Sequence, residues 1–459
     1  MKILLTARRF SPPLIGGVDV YAERLGRALT EMGHEISILA LHSAGDSSTI
    51  QIVERAQPPY RVWRLTFDAQ QRPKQVFDQA YDPDMGAAVR QILAREQPDL
   101  FIILNFYMLS LAAVEAAAAR GIPVAHIATD FVPICRRATF IRWHGRSCDV
   151  GESVQTCAAC FVSHRPQGRV AASVLGRLPE SLITRWADNR HAYRAPHPFR
   201  LLKPYWEQAA LMQGRLRRLQ PLRHQIAAVF APTRFTAQMF IQNGFRPDQV
   251  YLLPFGVERD NSLERIRRVP AAHVRFLFMG RLQPYKGAHV LVQAFNHLHN
   301  PQNATLTIYG KQDGYPEYFD DLMAAIQTNE RIRFAGSIPP SELGNAFANA
   351  DYFVLPSTWH ENSPLILLDA LQSGTPVIAS DIGGVRDAVQ DGVNGFLFEM
   401  GNVAALQRVL QRVIDTPSLR ERLESNIRLP SIQEYAHTML RLCREKMNLP
   451  HPARMEEKT

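Results

Sequence analysis

Lysine is scarce in this chain of 459 residues. Only seven of the 52 basic residues are lysine, at positions 2, 74, 203, 286, 311, 446 and 458, and the rest are arginine. A lysine that falls inside a motif is therefore notable. Cysteine is scarce too. Five residues (Cys135, Cys148, Cys157, Cys160 and Cys443) are too few for a disulfide scaffold in a chain this long. No secretory leader is expected, because the apolar run after Lys2 meets Arg8 and Arg9 at once. Long apolar runs are missing as well. Phe101 to Ala119 contains Asn105, Tyr107 and Glu115, which suits a buried strand leading into a helix rather than a membrane span. The G-x-G-x-x-G dinucleotide pattern is also absent. These absences point to a cytoplasmic protein, with a peripheral place on the inner face of the cytoplasmic membrane as the alternative setting.

What is present is ordinary globular material. Hydrophobic residues make up 46% and charged residues 21%, which excludes a disordered or fibrous chain. The length suggests about two or three domains. The net charge of +9 is local. Between Cys135 and His224 there are 16 Lys or Arg against 5 Asp or Glu, so the remainder is close to neutral. A nucleic-acid coat would spread its charge more widely, and nucleic acid is not an expected partner. One basic segment suggests a local anionic surface or substrate, or else a solvated arginine face.

Two segments read as α/β. Lys2–Ala7 is a short apolar run, followed by a Pro/Gly loop, a helical pattern through Tyr21, Leu25 and Leu29, and a second strand over Glu35–Leu41. That is the opening of a parallel sheet. Leu100–Leu104, Val124–Ile127 and Ala227–Ala231 read as further strands. A second start comes at Val274–Met279. Thr305–Tyr309, Ile332–Ala335, Tyr352–Leu355, Pro376–Ala379 and Gly395–Phe398 follow. The expected architecture is α/β: two doubly wound Rossmann-like domains, at 1–256 and 257–430, with a terminal helix and tail at 431–459. The segment 135–224 interrupts the first domain and includes a helical stretch around Trp206–Leu219.

Three loops carry candidate chemistry. Gly16 and Gly17 lie between the first strand and helix, where backbone amides can approach an anion. Met279-Gly280-Arg281-Leu282-Gln283-Pro284-Tyr285-Lys286-Gly287 places two cations between a strand and a helix. Open α/β sheets bind ligands at that end of the strand, and a diphosphate suits the charges. His360-Glu361-Asn362-Ser363-Pro364-Leu365 follows the strand at Tyr352–Leu355. With Pro364 in the first helical turn, the amides of Asn362, Ser363 and Leu365 face outward. Asp369 then lies about 7.5 Å further along the axis.

In combination these loops resemble the retaining GT-B glycosyltransferases of family 4. The resemblance covers Met1 to about Arg428. It rests on Gly16-Gly17 with Tyr21-x-x-x-Leu25 and Gly33-His34-Glu35, on Gly280-Arg281-x4-Lys286-Gly287, on Glu361-x7-Asp369, and on Ser373-Gly374-Thr375-Pro376 with Gly383-Gly384. It implies a cleft between the domains and transfer of a hexose from a nucleoside diphosphate sugar to a hydroxyl of a glycan or lipid-linked acceptor, with retention. Gly16 and Gly17 would approach the donor. Arg281 and Lys286 would neutralise the departing diphosphate, so no metal is needed for the chemistry. Glu361 would lie at the sugar with the amides after it, and Asp369 would hold the ribose. Rival readings are an epimerase or phosphorylase of the same fold, or a catalytically weakened sugar-nucleotide-binding protein.

The sequence departs from the family at two points. The second carboxylate is Asp369, where Glu is usual. Aligning Asp130-Phe131 with the family's Asp-aromatic pair puts Thr129 where a histidine is common, near the sugar. His126 is three residues too early for that role and reads as a core histidine. Thr129 and Asp130 stay as candidate substrate contacts.

Cys135, Cys148, Cys157 and Cys160 fall within 26 residues, and the last two form a C-x-x-C pair. Four thiolates suit structural zinc, with an iron–sulfur cluster, a redox pair or free thiols as alternatives. A subset of the same family resembles this pattern. Because the segment follows Asp130 in the first domain, it is expected to shape the acceptor side. Its stretches Phe199–Trp206 and Leu211–Arg223 mix basic with aromatic and aliphatic residues. They suit an anionic membrane surface, or else a helix packed on its own domain with arginines outside.

Overall fold

Lys2–Ala7 is apolar on both faces, and in the computed structural model it forms a central strand, β1, buried from Ile3 onward. Residues 1–11, 16–43, 49–72, 80–142, 148, 151–163, 166–187, 203–258, 271, 273–299, 301–447 and 449 are described. They fall into two compact units. The first comprises Met1–Pro232, Thr236–Leu253 and Ala436–Thr459, and the second Thr233–Phe235 and Pro254–Tyr435. The boundary thus lies at residues 253–254, three residues before the sequence-based one. The end of the chain from Ala436 belongs to the first unit rather than standing apart.

The first unit is built on an eight-stranded sheet. After β1 come β2 (Glu35–Ser43), β3 (Gln51–Gln57), β4 (Tyr60–Phe67), β5 (Leu100–Ile103), β6 (Val124–Ile127), β7 (Ile226–Ala231) and β8 (Val250–Leu252). The order is β3-β4-β2-β1-β5-β6-β7-β8. Every pairing is parallel except the β3–β4 hairpin at one edge. The hairpin was not anticipated. β3 is an edge strand with an exposed, polar sequence, which carries little apolar signal.

The inserted segment folds as a helical layer. Helices at Val154–Val162, Pro166–Leu175, Glu180–Ala187 and Lys203–Gln225 share a core of Ala158, Leu175, Ile183, Tyr205, Trp206 and Ala209, among others. The Lys203–Gln225 helix extends beyond the expected Trp206–Leu219 at both ends. It buries Arg215 and Arg223 along with its apolar residues. The expectation of outward arginines holds for Arg217 and Arg218, which are exposed, but not for Arg215 and Arg223, and residues 199–202 of the basic-aromatic stretch lie outside the described residues. Glu152 receives Arg215 Nε at 2.8 Å and Arg223 Nη2 at 2.5 Å. Arg215 also donates to the Val132 carbonyl, and Arg223 to those of Pro133 and Asn243. A buried carboxylate flanked by two guanidiniums, with their remaining N–H groups bonded to carbonyls, is how such charges are tolerated inside a protein.

The second unit has a six-stranded parallel sheet: β9 (Val274–Met279), β10 (Ala304–Tyr309), β11 (Ile332–Phe334), β12 (Tyr352–Leu355), β13 (Val377–Ser380) and β14 (Gly395–Phe398). Its order is β11-β10-β9-β12-β13-β14. The chain runs outward from β9 through β10 to β11, then returns to the other side of β9 for β12. The β9/β12 neighbours, paired at Phe276–Tyr352 and Leu277–Phe353, are therefore the topological switch point. Two apolar clusters fill the space on either side of this sheet.

Candidate functional site

The loops leaving β9 and β12 meet at that switch point. Gly287 adopts φ +75°, and a Cβ there would fall 1.8 Å from the Pro356 carbonyl oxygen. Only glycine permits this approach. The Thr358 N–H donates to the Tyr285 carbonyl at 2.9 Å, tying one loop to the other. Gly384 supports the arrangement from beneath. Its Cβ would lie 1.8 Å from the Glu361 carbonyl oxygen and 2.3 Å from that of Asn362.

On this frame Lys286 Nζ lies 2.7 Å from Glu361 Oε1. Ser357 Oγ donates to the same oxygen at 2.7 Å, and Trp359 Nε1 at 2.8 Å. Glu361 is 4% exposed, so the charge is sequestered but fully partnered at Oε1. No hydrogen-bond donor reaches Oε2 among the described residues. The Trp359 ring also lies 5.0 Å from Lys286 Nζ, a cation–π distance, and 5.0 Å from the Tyr285 ring. Trp359 and Ser357 were not singled out in the sequence. Their positions, two and four residues before Glu361, were the available signal.

The other candidates in this unit are placed as follows. Arg281 pairs with Asp313 at 3.1 Å on a half-exposed surface, and Gln283 donates to the same carboxylate at 3.0 Å. The helix after Glu361 runs Leu365–Gln372, with Pro364 at its N-cap in an extended conformation. It therefore starts one residue later than expected. No side chain caps it, so its first N–H groups lack a side-chain acceptor. Asn362 and Ser363 are half-buried at its approach, and Asp369 is buried on the helix.

In the first unit, Gly16 is the N-cap of the Gly17–Glu31 helix and again no side chain caps it. The part of this loop at 12–15 lies outside the described residues. A residue missed in the sequence organises what is visible. Asp19 Oδ1 accepts the N–H groups of Arg8 at 2.7 Å, Arg9 at 2.9 Å and Phe10 at 3.3 Å. One buried carboxylate thereby fixes the path of the chain as it leaves β1.

Asp130 plays a similar part. Its oxygens accept from Val132 at 2.9 Å, Phe106 at 2.8 Å and Tyr107 at 3.2 Å. Burial outweighs these bonds and pushes its pKa up to about 6. The Thr129 hydroxyl donates to the Leu104 carbonyl. His126 is a core residue, fully buried between Phe106 and Phe240. Its Nδ1 lies 2.8 Å from the Ile103 carbonyl, which can only accept, so the neutral ring carries its proton there. Burial lowers its pKa to about 4.

None of the five cysteines forms a disulfide. Cys157 and Cys160 lie on the Val154–Val162 helix, and Cys135 and Cys160 are among the electrostatic neighbours of Cys157. Burial pushes the Cys135 and Cys157 thiols up, which favours the protonated form. Among the described residues no group of three or more His, Cys, Asp or Glu is placed to hold a metal ion. The four cysteines are thus not drawn together as a ligand set here. Cys443 is buried in the Ile432–Met447 helix, as expected.

Residues 16–192 match the family described as "Glycosyl transferase 4-like domain" and residues 264–429 match "Glycosyl transferases group 1". The chain is 33% identical over 193 residues to the D-inositol 3-phosphate glycosyltransferase of Corynebacterium efficiens, covering 39% of this chain and 45% of that one. The corresponding protein of Acidothermus cellulolyticus is 33% identical over 196 residues, covering 39% and 43%. The matches thus span less than half the length of these relatives. Among solved structures, sucrose-phosphate synthase of Thermosynechococcus elongatus superposes with a TM-score of 0.62 at 18% identity, covering 97% and 98% of the two chains. HepE of Anabaena, solved with UDP and glucose, gives 0.60 at 16% identity, covering 97% and 100%.

Two parallel-sheet domains of this kind define the GT-B fold. The chain belongs to the GT-B glycosyltransferases in which a glycosyl transferase 4-like domain precedes a group 1 domain.

Proposed function

We propose that this chain transfers a hexose from a nucleoside diphosphate sugar to a hydroxyl of a glycan or lipid-linked acceptor, with retention at the anomeric carbon. The observation that carries the reading is the Lys286–Glu361 pair at the switch point of the second unit. Arg281 and Lys286 supply positive charge to the diphosphate. The uncapped N-terminus of the Leu365–Gln372 helix supplies amides beside them. Glu361 keeps Oε2 for a sugar hydroxyl, and Asp369 takes the ribose. Gly16 and Gly17 approach the donor from the first unit. As the glycosidic bond breaks, negative charge grows on the departing diphosphate. Fixed cations and amides stabilise it without reorganising. The solved HepE complexes with UDP and UDP-glucose support a nucleotide-sugar donor.

The acceptor is proposed to be engaged by the first unit, at or near an anionic membrane surface. No helix among the described residues is long and apolar enough to cross a membrane, so contact would be peripheral. Zinc or an iron–sulfur cluster on Cys135, Cys148, Cys157 and Cys160 is a separate proposal. It requires the thiols to draw together on metal uptake, and elemental analysis of the purified chain decides it.

The donor reading is tested by thermal unfolding with UDP, GDP, ADP and their sugar conjugates, with Lys286→Ala in parallel. A ligand that binds only the folded state raises the melting temperature. One nucleotide should stabilise the wild type and fail to stabilise the variant. Absence of any shift at millimolar ligand would overturn the reading.

A further inference from the structure

We infer that the outer face of the two-helix segment Pro166–Ala187 is a docking surface for an anionic phospholipid bilayer. This deepens the membrane part of the reading above and rests on it. The surface differs from the basic-aromatic stretches that the sequence suggested.

Large apolar side chains exposed to water are few among the described residues, and four of them fall within 13 residues of chain: Val170 (66% exposed), Val174 (56%), Leu178 (39%) and Leu182 (44%). Each is separated from the next by four positions. Val170 and Val174 therefore share one face of the Pro166–Leu175 helix. The residues immediately after three of them, Ala171, Leu175 and Ile183, are buried in the core of the inserted segment. These helices have thus already satisfied their own packing, and the four aliphatic side chains remain outside it. Isolated exposed aliphatics need no explanation, but four within one short helix–turn–helix segment, with Leu178 in the turn and Leu182 on the second helix, do.

The surrounding exposed charge is mainly positive, three arginines against Glu180. Arg169, Arg177 and Arg185 are exposed along the same stretch. Arg177 and Arg185 have no side-chain partner among the described residues. The one acidic side chain between them, Glu180, accepts the Val154 N–H at 2.9 Å and is turned to a structural task. Aliphatic side chains bordered by arginine fit the boundary between acyl chains and anionic headgroups. A second copy of this chain fits less well. Two-fold pairing would set the same arginines against one another.

The test is co-sedimentation of the full chain with vesicles of phosphatidylcholine alone and of phosphatidylcholine with phosphatidylglycerol. The wild type is expected to pellet with the anionic vesicles, to be released by salt, and to stay in solution with the neutral ones. Arg177→Ser/Arg185→Ser should weaken partitioning about 25-fold, at roughly fivefold per charge. Val174→Asp/Leu178→Asp should weaken it by at least about tenfold. All four positions are exposed, so both variants should keep the wild-type melting temperature and its shift with donor nucleotide.

Three outcomes would overturn the proposal. Failure of the wild type to bind anionic vesicles removes membrane contact altogether. Undiminished binding by both variants places the contact elsewhere. A wild-type dimer that dissociates on Val174→Asp/Leu178→Asp assigns the face to a second copy. None of these touches the donor reading, which the nucleotide shift reports separately.

Discussion

Lys286 and Glu361 lie 75 positions apart in the chain, yet the lysine Nζ stands 2.7 Å from the glutamate Oε1, above the gap between two adjacent parallel strands. The indole of Trp359 touches both partners, donating Nε1–H to the carboxylate and presenting its face to the ammonium. A single side chain thus sets the position of an anion and a cation.

Trp359→Phe should separate these two contacts. The ring remains for Lys286, and one hydrogen bond to Glu361 is lost. A charge-assisted hydrogen bond contributes about 1.5–3 kcal/mol. Turnover should therefore fall roughly tenfold or more, with a small change in nucleotide affinity. Glu361→Gln should cost more, on the order of 10²-fold in kcat, because it removes the charge as well as rearranging three donors. Steady-state kinetics with the donor found by thermal shift would check both. Equal kinetics for Trp359→Phe and the wild type would remove the positioning role.

Gly384→Ala offers a test of the frame. Its Cβ would collide with the Glu361 and Asn362 carbonyl oxygens, so the loop must move by more than an ångström. Gly392→Ala is the matched control. Its Cβ meets nothing within 4 Å, but its φ of +72° is strained for any other residue. Both should lose about 1–3 kcal/mol of stability. Only Gly384→Ala should also weaken the nucleotide-induced shift. If the control weakens it equally, the effect belongs to general destabilisation and not to the loop.

Much of this site was legible in the sequence, because its cations, carboxylates and glycines fall where strands end. The bounds of β1, β6, β9, β12 and β14 follow directly from short apolar runs between turn residues. What was not legible depends on distance in the chain. Asp19 becomes meaningful only once its carboxylate meets amides ten positions away. The arginines at 215 and 223 read as solvated charges, since nothing local shows that Glu152, 63 and 71 positions away, will meet them in the interior. Composition therefore overstated the solvated basic surface, since two of its arginines are interior.

Glu152→Gln tests the buried network. It would leave Arg215 and Arg223 in the interior without a counter-charge, while keeping side-chain size. Breaking a buried pair by removing one partner costs about 3–5 kcal/mol. The denaturant midpoint should fall accordingly, and fluorescence of Trp206 in the same helical layer should report the loss. A change below about 1 kcal/mol would show that the two guanidiniums are held by their carbonyl partners alone.

Two titratable groups in the first unit, buried His126 and half-buried Asp130, give opposed pH dependences. His126 is held near 4, below its unfolded value of 6.5. Its contribution is fully present above pH 6.5 and is lost as pH falls toward 4, by at most about 3 kcal/mol. Asp130 is raised to about 6 from 3.8. The unfolded chain ionises first there, so stability declines as pH rises from about 4 to 6. In the wild type the two slopes partly cancel. His126→Gln keeps a donor for the Ile103 carbonyl but cannot titrate, so it should leave a stability that falls more steeply with rising pH across this window. Asp130→Asn should leave one that rises with pH between 4 and 6.5. Denaturant unfolding at half-unit pH steps would measure the differences from wild type. Slopes that shift in the same direction for both variants would contradict the opposed environments of the two side chains.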